Sequence, residues 1–211
     1  MGPVTNVYVD GFNLYYRLRK TPYKWLDLEA VFRQLLPRNE VQRIRYCTAR
    51  IKARPGDPTG PDRQDAYLRA LESVPGLSIH YGTFLASKTF MRLVAPPPSP
   101  ALPTVEVHKM EEKGSDVNLA SWMLVDAYEN DCEVAVLVSN DSDLAFPMQV
   151  ITQRLGRTIG LVNPWDDNPS RGLRRAQPAF VRRLRSGLLA ASQFPDDVAV
   201  GGHIVRRPSG W

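Results

Sequence analysis

Cysteine and histidine are scarce in this chain. Its 211 residues include two cysteines, Cys47 and Cys132, and three histidines, His80, His108 and His203. The histidines are scattered without ligand spacing, so a zinc site has no ligand set. Each cysteine lies beside or within a run that reads as a strand, and both are expected to be reduced core thiols. Long apolar runs are also missing: none reaches the ~18 residues that a membrane helix needs. The chain starts with Val4-Thr5-Asn6-Val7-Tyr8-Val9, a strand pattern with no charged segment ahead of it, so no secretory signal is expected. No Gly-x-Gly-x-x-Gly follows a strand, and no haem motif or two-His-one-carboxylate spacing occurs. These absences count against a dinucleotide enzyme, a haem protein and a non-haem iron oxygenase. The expectation is a soluble, cytoplasmic protein with no membrane partner.

What is present is a globular composition. Hydrophobic residues make up 43% and charged residues 23%, which allows a real core in one domain. The net charge of +5 and pI near 9.4 suit an anionic partner without demanding one. Strand-like runs at 4–9, 41–49, 77–81, 133–139 and 158–162 alternate with helical patterns. Those helices are expected over 12–20, from an Asp27 cap to Pro37, from an Asp62 cap through Leu71, over 116–129 and over 144–155. The alternation predicts an α/β three-layer sandwich with a mostly parallel central sheet. The middle of the 116–129 helix, Leu119-Ala120-Ser121-Trp122-Met123-Leu124-Val125, is apolar nearly all round, which predicts a helix buried on most sides. The loop from Arg54 to Pro61 holds three prolines and two glycines and is expected to be irregular. Residues 83–110 read as an excursion whose two arms, a hairpin or a flap, are joined by a stiff Ala95–Pro100 linker. Residues 1–185 form the expected catalytic domain, and 186–211 a C-terminal extension that packs on it or serves a dimer.

The acids fall at informative places. Asp10 ends the first strand, Asp141 and Asp143 lie just past the 133–139 strand, and Asp116 opens the helix before it. Ligand sites in open α/β sheets form outside the C-terminal ends of strands. Singly, each acid reads equally well as a turn or cap residue. Jointly they would repel one another unless a divalent cation sits among them, and oxygen-only ligands select Mg²⁺ or Mn²⁺.

Three segments resemble the motifs of NYN domains, within the PIN-like nuclease class. They are Val7-Tyr8-Val9-Asp10-Gly11-Phe12-Asn13-Leu14, Lys113-Gly114-Ser115-Asp116-Val117-Asn118-Leu119-Ala120, and Val136-Leu137-Val138-Ser139-Asn140-Asp141-Ser142-Asp143-Leu144. The bacterial LabA-like branch is the nearest match, over roughly residues 4 to 185. The resemblance implies a PIN-like, Rossmannoid fold. It implies that Asp10, Asp116 and Asp141 form the acidic metal cluster with Asp143 as a further acid. Asn13 would contact a phosphate or a ligand carboxylate, and Ser139 is a small residue near the metal.

Arg171 to Arg185 holds six arginines and no acid. Ser170 is a candidate cap for a short helix carrying Arg171, Arg174 and Arg175, whose guanidinium forks suit phosphates. Trp165 could stack on a base and Lys113 could extend the positive rim, against a plain reading of solvated charge and loop packing. Lys109, Arg50, Lys52, Lys88 and Arg92 are weaker candidates for the same rim. The first reading is therefore a metal-dependent endoribonuclease, with DNA a less favoured substrate. The second is a non-catalytic nucleic-acid-binding or regulatory module. A distant third is an oxidoreductase, because some relatives carry such a label tied to breakdown of N-heterocycles.

Overall fold

A computed structural model describes residues 2–54, 56–95 and 103–211. The chain runs β1 (Val4–Asp10), α1 (Gly11–Leu18), α2 (Leu28–Leu35), β2 (Glu40–Thr48), α3 (Gly60–Leu71) and β3 (Leu77–Tyr81). A hairpin follows, β4 (Thr83–Arg92) and β5 (Thr104–Lys113), then α4 (Ser115–Tyr128) and β6 (Val134–Val138). Next come α5 (Ala145–Gln149), β7 (Thr158–Asn163), α6 (Arg171–Arg175), β8 (Phe180–Arg183), α7 (Ser186–Ala191), β9 (Asp197–Val200) and β10 (His203–Arg206).

Six strands form one sheet in the order β3-β2-β1-β6-β7-β8, and every pairing in it is parallel. Alternation along the strands decides which layer each side chain joins. Val7, Val9, Ile44, Tyr46, Val136 and Val138 face a core made with Leu14, Leu28, Phe32 and Leu68 from α1, α2 and α3. Tyr8, Cys47, Ala135, Leu137, Ile159 and Leu161 face the other way, onto Leu119, Met123, Met148 and Leu173 from α4, α5 and α6. The result is the expected three-layer α/β sandwich. Strand order reverses beside β1, which pairs with β2 on one side and β6 on the other. That reversal opens a crevice at the C-terminal ends of β1 and β6.

The four α4 side chains Val117, Ser121, Val125 and Tyr128 lie on one face, and that face is solvent-exposed. The expectation of burial on most sides fails there. The opposite face is anchored by a buried pair: Arg45 donates to both Asp126 oxygens at 2.7 and 2.6 Å. The Tyr8 hydroxyl donates to the same carboxylate at 2.8 Å, and the Arg45 guanidinium lies 3.9 Å from the Trp122 ring centroid. Asp27 caps α2 as expected, accepting from Ala30 N–H. Asp62 does not cap α3: that helix starts at Gly60 with Pro61 in its first turn, where a missing N–H costs nothing. The segment after Asp141 is less regular than one helix. It runs through a 3-10 turn at Ser142–Leu144, α5, and a π-helical Val150–Arg154.

The 83–110 excursion is an antiparallel hairpin whose pairing extends to Thr83↔Lys113. Its proline linker lies, from residue 96, outside the described residues. Three elements were not foreseen: β8, an edge strand within the arginine-rich stretch, the short helix α7, and the β9–β10 hairpin. Phe194, Val198 and Val205 join the α2–α3 core, and the Trp25 indole N–H donates to the Pro195 carbonyl at 2.8 Å. Both cysteines are buried and unpaired. No described helix is long and apolar enough to cross a membrane.

Candidate active site

Asp10 closes β1 and caps α1. Its Oδ1 accepts from the Asn13 N–H at 2.9 Å and its Oδ2 from the Ser139 hydroxyl at 2.8 Å. Ser139, fully buried past the end of β6, also accepts from the Asp141 N–H at 3.0 Å. Asp141 in turn accepts from the Asp143 N–H at 2.9 Å. The cap role and the cluster role are therefore not alternatives. One carboxylate oxygen fixes the turn, and the carboxylate still lies at the crevice. Gly11 is required beside Asp10, because a Cβ there would come within 2.8 Å of the Cys47 carbonyl and the Tyr46 ring.

Asp116 arrives from the other side, in the first turn of α4. Gly114 makes this approach, turning the chain at φ 95, a conformation that costs glycine little. Glu112, the residue that sequence reasoning missed, completes the turn: its Oε1 accepts from the Ser115 N–H at 2.8 Å. The pairing of the second hairpin arm runs past Met110 to Lys113, but Glu111-Glu112-Lys113 carries no alternation that would have marked Glu112.

The carboxylates sense one another. Burial raises the Asp10 carboxyl above its ordinary value, with Asp141 and Glu112 pushing the same way and the hydrogen bonds from Asn13 and Ser139 opposing. Asp116 is pushed up to about 6, first by burial and then by the fields of Asp10, Asp141, Glu112 and Asp143. Among the described residues none of these five carboxylates takes part in an ion pair, although Arg17, Arg43, Arg45 and Arg50 all find acids elsewhere. No described group of three or more His, Cys, Asp or Glu side chains is already arranged to hold a metal ion. The donor set still fits a hard cation: it is all oxygen, uncompensated and partly buried.

Asn13 does something other than wait for a ligand. Its Oδ1 accepts from the Asn140 N–H at 3.2 Å and from the Trp165 indole N–H at 3.3 Å. Asn140 Oδ1 accepts from the Ser170 N–H at 2.7 Å, so α1 and two loops at the crevice are tied together. Ser170 caps α6, accepting from Leu173 N–H. That helix carries Arg171, Arg174 and Arg175 exposed, and its Gly172 lies against Ser142 and Ala145 beside the acids. Trp165 is half-buried and Lys113 is exposed at the end of β5. Other arginines are committed elsewhere. Arg17 donates to Pro164 O and Asp166, and Arg183 to Asp166 O and Asn168, so both hold the 163–170 loop. Arg50 is paired with Asp65, Lys109 with Glu111 and Lys88 with Glu106, which weakens them as a free positive rim.

Comparison with known proteins agrees with this fold. A family model described as NYN domain matches residues 4–184. The chain is 33% identical to 6-hydroxy-3-succinoylpyridine 3-monooxygenase HspA of Pseudomonas putida, over 98% of this chain and 75% of that protein. A crystal structure of a protein of unknown function from Vibrio parahaemolyticus superposes with a TM-score of 0.54 at 16% identity, covering 92% of this chain and 97% of that one. At that identity the likeness concerns the fold alone.

Proposed function

This chain belongs to the NYN domain family, and from that premise we propose that it is a metal-dependent nuclease acting on RNA. One arrangement supports the reading: Asp10, Asp141 and Asp143 are linked through Ser139 by hydrogen bonds at the ends of β1 and β6, and Asp116 at the start of α4 feels their fields together with that of Glu112. Asp10, Asp116 and Asp141 would hold a Mg²⁺ or Mn²⁺ ion, with Asp143 as a further ligand or as the base that orients water. Bound there, the ion supplies polarisation of a phosphate oxygen and a water of lowered pKa. The chain's own residues do the rest. Asp10 keeps its orientation through Asn13 and Ser139. Arg171, Arg174 and Arg175 on α6 grip phosphates, Lys113 adds charge from β5, and Trp165 offers a face to an unpaired base. Cleavage would leave a 5′-phosphate and a 3′-hydroxyl. The preference for RNA over DNA, and the LabA-like placement, rest on the motif resemblance.

A second reading is favoured by the Pseudomonas putida relative, whose name describes oxygenation of a hydroxypyridine. In that reading O₂ and a reductant such as reduced nicotinamide are supplied from solution, and ring carbon 3, which bears the succinoyl group, is the oxygenated position.

One experiment covers both readings. End-labelled single-stranded and structured RNA is incubated with the protein in Mn²⁺, Mg²⁺ or EDTA, beside Asp10→Asn and Asp141→Asn. Parallel reactions contain 6-hydroxy-3-succinoylpyridine, air and reduced nicotinamide, followed by mass spectrometry. Metal-dependent cutting lost in both variants supports the nuclease. Loss of the pyridine substrate that requires both air and reduced nicotinamide, with no cutting, replaces it with the oxygenase. RNA binding without either reaction replaces it with a non-catalytic module.

A further inference from the structure

A pocket of about 240 Å³ opens beside the acid cluster, and neither the capping network nor the arginine helix accounts for it. Its inner wall is aromatic. Tyr46 and Tyr67 are buried there, and Trp211 packs on Tyr67 with ring centroids 5.9 Å apart. Phe12 and Phe84 face each other nearly parallel, 21° between planes and 6.4 Å between centroids, where α1 meets the base of the hairpin. Tyr16 stays half exposed at the mouth. The pocket is open to solvent, and rings line it together with Leu14, Leu18, Ile51 and Leu68.

The mouth is positive. Arg19, Lys24 and Lys52 line it, and among the described residues none of the three is within ion-pair distance of a carboxylate. Arg63, in contrast, is tied to Asp57. The Lys24 ammonium is lowered from its ordinary value by burial and then by the nearby Arg63 and Arg207 charges, the mark of a cation among cations. Position matters as much as composition. Gly11, next to Asp10, and Glu112, which presses on Asp10 and Asp116, both line the same pocket.

We infer that this pocket is a subsite for a flat heteroaromatic ring bearing one anionic group, seated immediately beside the acid cluster. The ring would stack among Phe12, Tyr16 and Trp211, and Arg19, Lys24 and Lys52 would receive the anion. The volume falls below the ~300–1,000 Å³ of drug-sized pockets, so one ring system with a short substituent fits. Two sources share this chemistry: a nucleotide of an RNA strand, or a free heteroaromatic acid. Only the nucleotide source rests on the nuclease reading.

The test is direct binding by the full chain in EDTA, where no cleavage occurs. Calorimetry and intrinsic fluorescence follow titration with uridine and adenosine 5′-monophosphates, the matching nucleosides, and nicotinic and 6-hydroxynicotinic acids. Arg19→Ala/Lys52→Ala and Tyr16→Ala change exposed side chains, and Tyr128→Ala on the far face of α4 is the control. Saturable binding is expected, weakened roughly tenfold or more by the double variant and by loss of the phosphate, and unchanged in the control. Binding of nucleotides supports the strand source and binding of the free acids supports the small-molecule source. Nucleotide binding by a protein that cuts no RNA leaves the pocket standing and removes the nuclease reading. No saturable binding of any probe at millimolar concentration, or variants that bind as the wild type does, overturns the inference.

Discussion

Replacing Asp116 by Asn is expected to stabilise the metal-free protein at neutral pH. The Asp116 carboxyl stands at about 6 in the folded chain against an ordinary 3.8. The folded state therefore binds that proton more tightly than the unfolded state does. The associated stability is fully present below the unfolded value, declines as pH rises, and is gone above about 6. A gap of about two units corresponds to roughly 3 kcal/mol. Asp116 is partly exposed, so solvent screening leaves roughly 1–2 kcal/mol. One effect opposes it. In the first turn of α4 a negative charge gains about 0.3–1 kcal/mol from the helix dipole, and Asn forfeits that. Burial and repulsion together win, for a net gain of about 1 kcal/mol, or roughly 2–4 °C in Tm for a chain of this size.

Urea unfolding in EDTA, followed by tryptophan fluorescence, reads this directly. The variant should exceed the wild type near pH 7.5 and lose its advantage below about pH 4. Adding Mn²⁺ should then raise the wild type more than the variant, because only the wild type keeps the full ligand set. A variant less stable than the wild type near neutral pH, or an advantage that ignores pH, would refute the electrostatic account of the cluster.

The buried pair offers a sharper stability test. Arg45→Met leaves Asp126 without its bidentate partner and should cost about 3–5 kcal/mol, while Arg45→Met/Asp126→Leu should recover most of it; calorimetric Tm values decide, and a cheap single variant contradicts the reading. On the nuclease reading, Arg171→Ala/Arg174→Ala/Arg175→Ala should lower RNA affinity and flatten its salt dependence by about 2 in log–log slope, measured by fluorescence anisotropy; an unchanged slope removes α6 from the interface. The Cys47 thiol is pushed up to about 12, first by burial and next by the Asp10 charge, so a thiol reagent near pH 8 should label it only after unfolding. Prompt labelling of Cys47 in the folded protein, located by peptide mapping, would show that this edge of the sheet opens.

Legibility in the sequence followed how local each feature is. The sheet was readable because apolar runs such as Val134–Val138 are continuous and punctuated by turns. Asp10, Asp116 and Asp141 were readable because each stands at a strand end or helix start, where local turn chemistry marks it. β8 was hidden because Phe180-Val181-Arg182-Arg183 is a short edge strand whose exposed side chains read as charge, not alternation. α4 misled because composition cannot say which apolar side chains stay wet, and Val117, Val125 and Tyr128 do. The pocket was invisible because Gly11, Thr48, Arg63, Phe84 and Trp211 come from five separate segments. Only the folded chain brings them together.

Asn13 shows how a motif residue gains a second job from the fold. By resemblance it contacts a phosphate; in the structure its Oδ1 takes both the Asn140 N–H and the Trp165 indole N–H. Those two bonds hold the Asp141 turn and the 163–170 loop against α1. Asn13→Ala removes the shared acceptor and strands two donors at a half-buried site, at a cost of about 1–3 kcal/mol. A purely ligand-contacting Asn13 would lose RNA affinity with its Tm unchanged. A positioning Asn13 would lower the Tm and shift the emission of Trp165 to longer wavelength without any RNA present. Asn13→Asp keeps the acceptor oxygen, so it should retain the Trp165 emission while adding a negative charge beside Asp10. If instead Asn13→Ala leaves both Tm and emission untouched, the two crevice loops are held against α1 by something other than this network, and Asn13 returns to the role its motif alone implies.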